Sequence, residues 1–140
     1  MSAAYPVPAP TPVVIEILDS LPALASSVGK RVSVVLNHRL PALRVALVGY
    51  LERAATDWET VPMFQVEVWA ADVLEAEELA FRLAHAWPSA TRERVGDAYV
   101  HGRWIVQNPL PLPADDDEAE TDKARYLVTV ALRMTGAIHG

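Results

Sequence analysis

Val13, Val14, Ile17, Leu18, Leu21 and Leu24 recur at helical spacing and predict a first helix from about Pro12 to Ser27, with Thr11 as N-cap and Pro12 at the first helical position. Pro22 must kink or split it, and Gly29 ends it. Two short apolar runs, from Arg31 to Leu36 and from Leu43 to Leu51, lie on either side of Pro41 and read as two strands or one bent strand. From Met63 to Ala70 the pattern alternates: Phe64, Val66, Val68 and Ala70 share one face, and Met63, Gln65, Glu67 and Trp69 the other. Asp72 with Glu75 three residues on is a capping-box-like start for a second helix. Its stripe of Ala76, Leu79, Ala80, Leu83 and Trp87 stops at Pro88. A strand follows around Tyr99 to Val106, and a last one alternates through Tyr126, Val128, Val130 and Leu132.

Between these elements lie polar or proline-rich stretches. Pro6, Pro8, Pro10 and Pro12 stand at alternate positions, so residues 1–12 read as an extended, Pro-rich N-terminal arm. Residues 52–62 read as an exposed loop, and residues 107–121, with Pro109, Pro111, Pro113 and the acidic run from Asp115 to Glu120, as a long mobile one. That leaves a single domain over residues 13–135 and a short tail over 136–140. No strand-helix-strand rhythm repeats, so the predicted fold is α+β: a mixed, mainly antiparallel four- to five-stranded sheet with two helices packed on one face. The opposite face would carry Met63, Trp69, Leu127 and Ala131, apolar residues that an isolated chain would leave in water. A second subunit is the expected cover.

Length and composition narrow the function. A chain of 140 residues fits one core without a covalent staple, and there is no cysteine, which removes thiol chemistry and cysteine-type zinc sites. The net charge of −6 argues against binding duplex DNA, whose affinity comes from neutralised phosphates. No apolar run approaches the ~18 residues of a membrane span, and the start lacks the basic and apolar stretches of a signal peptide, so the chain is expected to be made in cytoplasm.

Candidate chemistry is sparse. His38, His85, His101 and His139 show no metal-ligand spacing, and the acidic run lacks the alternation and central glycine of a calcium loop. The six glycines never cluster as a phosphate-binding turn, and no serine sits in a nucleophile elbow. The sequence thus supplies no catalytic, cofactor-binding or metal residue. Trp58, Trp69, Trp87 and Trp104 invite an aromatic-platform reading, but core or subunit-interface anchoring explains Trp69 and Trp87 at least as well.

One pattern is more specific. The run from Val61 through Met63, Gln65, Glu67 and Trp69 to Asp72, leading into the Ala-rich helix Glu75 to Trp87, resembles the middle of tail terminator proteins of long-tailed bacteriophages, especially of actinobacterial hosts. The closing segment from Asp122 through Arg125 and Tyr126 to Val130 is similar to that family's last strand, which an Arg-Tyr pair commonly introduces. The resemblance spans about residues 12–135 and implies a non-enzymatic virion protein without cofactor. Such a protein forms a ring, typically a hexamer, on the head-proximal end of the tail tube, stops tube growth and docks the head connector. Its implied partners are further copies of itself, the tail tube protein and the connector, with genomic DNA passing through the lumen unread, and assembly in the host bacterial cytoplasm. The family carries no catalytic motif across. On our reading of the residues, Glu67, Trp69 and Arg133, on the outward faces of their strands, are candidate subunit contacts. The loops 52–62 and 107–121 are candidate tube, connector or lumen surfaces. Competing expectations are a neighbouring head-completion, connector or minor tail protein, and a small-molecule or peptide binder with Trp58 and Trp104 in its pocket.

Overall fold

The computed structural model describes residues 7–35, 37, 39–51, 59–112 and 124–137. His38, Trp58, the acidic run and His139 lie outside the described residues, as do the first six residues of the arm.

The predicted first helix is divided. Helix α1 spans Pro10–Ser20 and α2 spans Pro22–Ala25, with Leu21 extended between them at ψ 115°. This is the break that Pro22 demands, because proline disfavours helical backbone in the residue before it. The start differs from expectation: Ala9 rather than Thr11 precedes the helix, and Pro10 is its first residue. Prolines at 10 and 12 are compatible with this because the first-turn amides have no intrahelical acceptor to lose. Gly29 then turns the chain at φ +59°, a conformation that glycine adopts without strain.

The strands are β1 (Val32–Ser33), β2 (Ala42–Tyr50), β3 (Glu59–Thr60), β4 (Pro62–Ala70), β5 (Glu93–Val95), β6 (Ala98–Pro111) and β7 (Ala124–Gly136). Helix α3, Val73–Ala86, connects β4 to β5, and the Asp72 carboxylate accepts from the Glu75 amide at 2.9 Å, as the capping pattern predicts. The fold is α+β, with one mixed sheet in the order β1-β2-β4-β7-β6-β5 and β3 paired to β7. All pairings are antiparallel except β1 with β2.

The described residues thus hold seven strands and three helices, more than the four to five strands and two helices expected. β3 and β5 are two and three residues long, too short to leave a periodic signal. The larger correction concerns residues 107–111, read as loop from their prolines. They continue β6 and pair with β7, Leu110 opposite Leu127 and Pro111 opposite Tyr126. Part of the 52–62 loop is likewise strand, since β3 and the start of β4 lie within it.

The core lies between the helices and one sheet face. Val14, Ile17 and Leu18 of α1, Leu79 and Leu83 of α3, and the inward residues of β4 and β7, including Phe64, Val66, Val128, Val130 and Leu132, form one buried cluster. Trp87 closes it: the ring is fully buried, and its Nε1 donates to the Trp104 carbonyl at 3.1 Å and the Ala131 carbonyl at 3.2 Å. Trp104 and Ala131 face each other across β6 and β7, so this side chain ties the end of α3 to two strands. The Arg103 guanidinium lies 5.3 Å from the Trp87 ring centroid, and its charge is paired with Glu93 at 3.5 Å.

Candidate interaction surface of the sheet

The sheet face turned away from the helices carries Arg44 on β2, Gln65, Glu67 and Trp69 on β4, and Arg125, Leu127, Thr129 and Arg133 on β7. Register puts Arg44 opposite Glu67, and Trp69 opposite Arg125. The side chains follow this placement. Trp69 Nε1 donates to Glu67 Oε1 at 2.9 Å, Arg44 lies 4.0 Å from the same oxygen, and the Arg125 guanidinium sits 5.1 Å from the Trp69 ring centroid. One carboxylate therefore serves an indole and a cation, and a second cation caps the indole.

Arg133 is elsewhere on this face. It stands six positions beyond Leu127, the residue opposite Glu67, which is about 20 Å along an extended strand. There its Nη1 donates to Glu59 Oε1 at 2.7 Å. Beside this pair His101 Nε2 and Thr135 Oγ1 are 2.7 Å apart, and Arg92 lies over the Tyr99 ring at 4.0 Å. Burial pushes His101 below the usual imidazole range, helped by Arg92 and Arg133 and opposed by Glu59. The structure thus brings Glu67 and Trp69 together and leaves Arg133 in a separate cluster.

The expectation that this face strands large apolar residues in water needs correction. Trp69 and Ala131 are buried, and Met63 and Leu127 are only partly accessible. Trp69 is covered by its Glu67 and Arg125 partners, whereas Ala131 is small and flanked in its row by Met63 and Trp104. On the sheet, the exposed large apolar residues lie at its borders instead, on Leu47, Val48 and Tyr50 of β2 and the adjoining Leu51, and on Val106 and Leu110 of β6; away from it, Val34, Val35, Val73, Leu74 and Phe81 are exposed too. Neither Arg44 nor Arg125 was singled out from sequence, although the Arg-Tyr pair marked the segment. Both become recognisable once the β2·β4·β7 register is known.

On the helical side a shallow depression of about 590 Å³ lies between α2 and α3, lined by Ala23, Glu78, Phe81, Arg82, His85 and Ala86. Trp104 does not line it. Among the described residues no three of His, Asp or Glu are grouped as metal ligands, and no helix is long and apolar enough to cross a membrane.

In comparison with known proteins, the chain matches no family model, and no curated protein matches its sequence.

Proposed function

We propose that the chain is a structural subunit of a long-tailed phage virion. In this reading it forms a ring, hexameric by the resemblance, at the head-proximal end of the tail tube, ends tube polymerisation there and offers the head connector its docking surface. The observation that carries the proposal is the β2 border, which no strand covers among the described residues beyond Arg44 and where Leu47, Val48, Tyr50 and Leu51 are exposed. A protein that acts by contact rather than by chemistry needs such a surface, and head-to-tail contacts between identical subunits close into rings when their rotation permits. On the open sheet face Arg44 and Arg133 are each paired with a carboxylate and Arg125 lies over Trp69, which supports a lumen that does not grip DNA.

The depression beside Phe81 supports a second reading, a small-molecule or peptide binder, because concave sites with an aromatic wall are where such ligands settle. A single experiment separates the two. Tagged chain is mixed with tail tubes growing from the cognate tube protein and located by negative-stain imaging. Label at one tube end with growth arrested is the expected result. Label absent or scattered along tubes that keep growing would overturn the terminator assignment and favour a connector or ligand-binding role.

A further inference from the structure

The two borders of the sheet are both incomplete. Among the described residues, β1 pairs beside β2 only at Leu43 and Arg44, so no described strand covers the border from Val45 to Tyr50. Beside β6, among the described residues, β5 and the Ser89 bridge reach only to Arg103, so no described strand covers the border from Trp104 onward. Soluble proteins usually guard such edges with charged side chains. Here Ala46–Leu51 contains no charge, and neither does Trp104–Leu112, in a chain of net charge −6. Two copies repel each other broadly, and these neutral runs are where that repulsion is least. Pro109 and Pro111 lack an N–H, which limits the pairable part of β6 to about Trp104–Asn108.

The two openings also match in level and direction. Register places Leu47, Phe64, Val130 and Ile105 in one cross-strand row on the inner side, and Ala46, Gln65, Thr129 and Gln107 in the next row on the outer side. Each row ends at an open border on both sides. Because β2·β4, β4·β7 and β7·β6 are all antiparallel, the four long strands alternate strictly. A second copy of the same polarity therefore presents its β2 antiparallel to β6 of the first, and the alternation continues without a break. An even number of alternating strands is what permits this.

We infer that the open border of β2 in one copy pairs with the open border of β6 in the next, so that identical chains join head to tail through one continuous sheet. The inference rests on the ring reading above and gives its contact. At the seam Leu47 of one copy meets Ile105 of its neighbour, the inner row runs apolar across both molecules, and Val48 and Val106 lose their exposure.

The absence of cysteine allows a direct test. Ala46→Cys and Gln107→Cys, both at exposed positions, are combined in one chain and treated with a short bismaleimide over a concentration series. The expected result is a ladder of covalent oligomers on a denaturing gel from the double variant only. Adding Leu47→Lys, or Val48→Lys should the first fail to fold, is expected to reduce the ladder about tenfold with an unchanged circular dichroism spectrum. Dimers from Ala46→Cys alone would show β2 pairing with β2 and overturn the seam, as would the absence of any ladder. A ladder without arrest of tube growth would keep the seam and remove the capping role. Arrest without a ladder would do the reverse.

Discussion

Replacing Trp87 tests the packing that positions the whole sheet against α3. The side chain is fully buried, and its single donor serves two carbonyls on adjacent strands, at 3.1 and 3.2 Å. In Trp87→Phe an aromatic ring remains and the N–H is lost. Leaving buried acceptors without that donor costs about 1–2 kcal/mol. The volume vacated adds about 1 kcal/mol, at roughly 24 cal/mol per Å³ of residual cavity. The expected loss is therefore about 2–3 kcal/mol, a large share of the stability of a domain of this size. Trp87→Ala removes the ring as well and should cost about 3–5 kcal/mol.

Urea unfolding followed by far-ultraviolet circular dichroism is the suitable assay, since with four tryptophans in the chain fluorescence would mix several environments. With a slope of about 2 kcal/mol per M, Trp87→Phe should lower the midpoint by about 1 M without changing the slope. A midpoint shift worth under about 0.5 kcal/mol, the range of ordinary surface substitutions, would refute the idea that the indole donor ties α3 to β6 and β7.

Other outcomes follow from single contacts. Asp72→Ala removes the cap of α3 and should cost about 1 kcal/mol in the same assay, whereas Asp72→Asn should cost less. Tyr126 donates to Glu77 at 2.7 Å, and that bond, with burial and the Glu77 charge, raises its phenol above the ordinary value. A raised pKa means stabilisation present below about pH 10 and lost as pH rises through the folded value, so thermal melts should show an alkaline decline that Tyr126→Phe lacks. His101 is shifted the other way, favouring the neutral ring, so its contribution is present above about pH 6.5 and lost as pH falls through the folded value. Melting between pH 7 and 5 should therefore fall less steeply in His101→Gln than in the parent.

The elements legible in the sequence were those whose period and caps agreed. β4 alternates without interruption and α3 has Asp72 before it and Pro88 after it, so both were readable close to their observed bounds. Proline misleads at Pro10 and at residues 107–111 for one physical reason: it reads as a breaker where the structure has no N–H to lose, whereas Pro12 stands within the first helix as expected. Pro10 and Pro12 occupy a first helical turn, whose amides have no acceptor, and Pro109 and Pro111 lie on a stretch of β6 that has no strand beyond it among the described residues. Of the candidate contacts, Glu67 and Trp69 could be placed on one face by alternation alone. Their Arg44 and Arg125 partners could not, because pairing across strands depends on a register that a single segment does not encode.

The arrangement of charge on the open face changes what Glu67, Trp69 and Arg133 can contribute. Glu67 already accepts from Trp69 and faces Arg44, and Arg133 already holds Glu59, so none of these groups gains a first partner by meeting another subunit. Ion pairs with this much solvent access are worth about 0–1 kcal/mol each, too little to drive assembly. They can still decide which surface is tolerated, because bringing a like charge against a paired one costs more than bringing an apolar row against another. The driving term has to come from apolar area, at about 25 cal/mol per Å² removed from water, and on the sheet that area lies at Leu47, Val48 and Tyr50 rather than at Trp69. Trp69→Asp should consequently lower stability by breaking its own contacts with Glu67 and Arg125, whereas Leu47→Lys should leave the fold intact and weaken association. If instead Trp69→Asp abolished association in a chain that still melted like the parent, the interface would lie on the open face of the sheet and not along its borders.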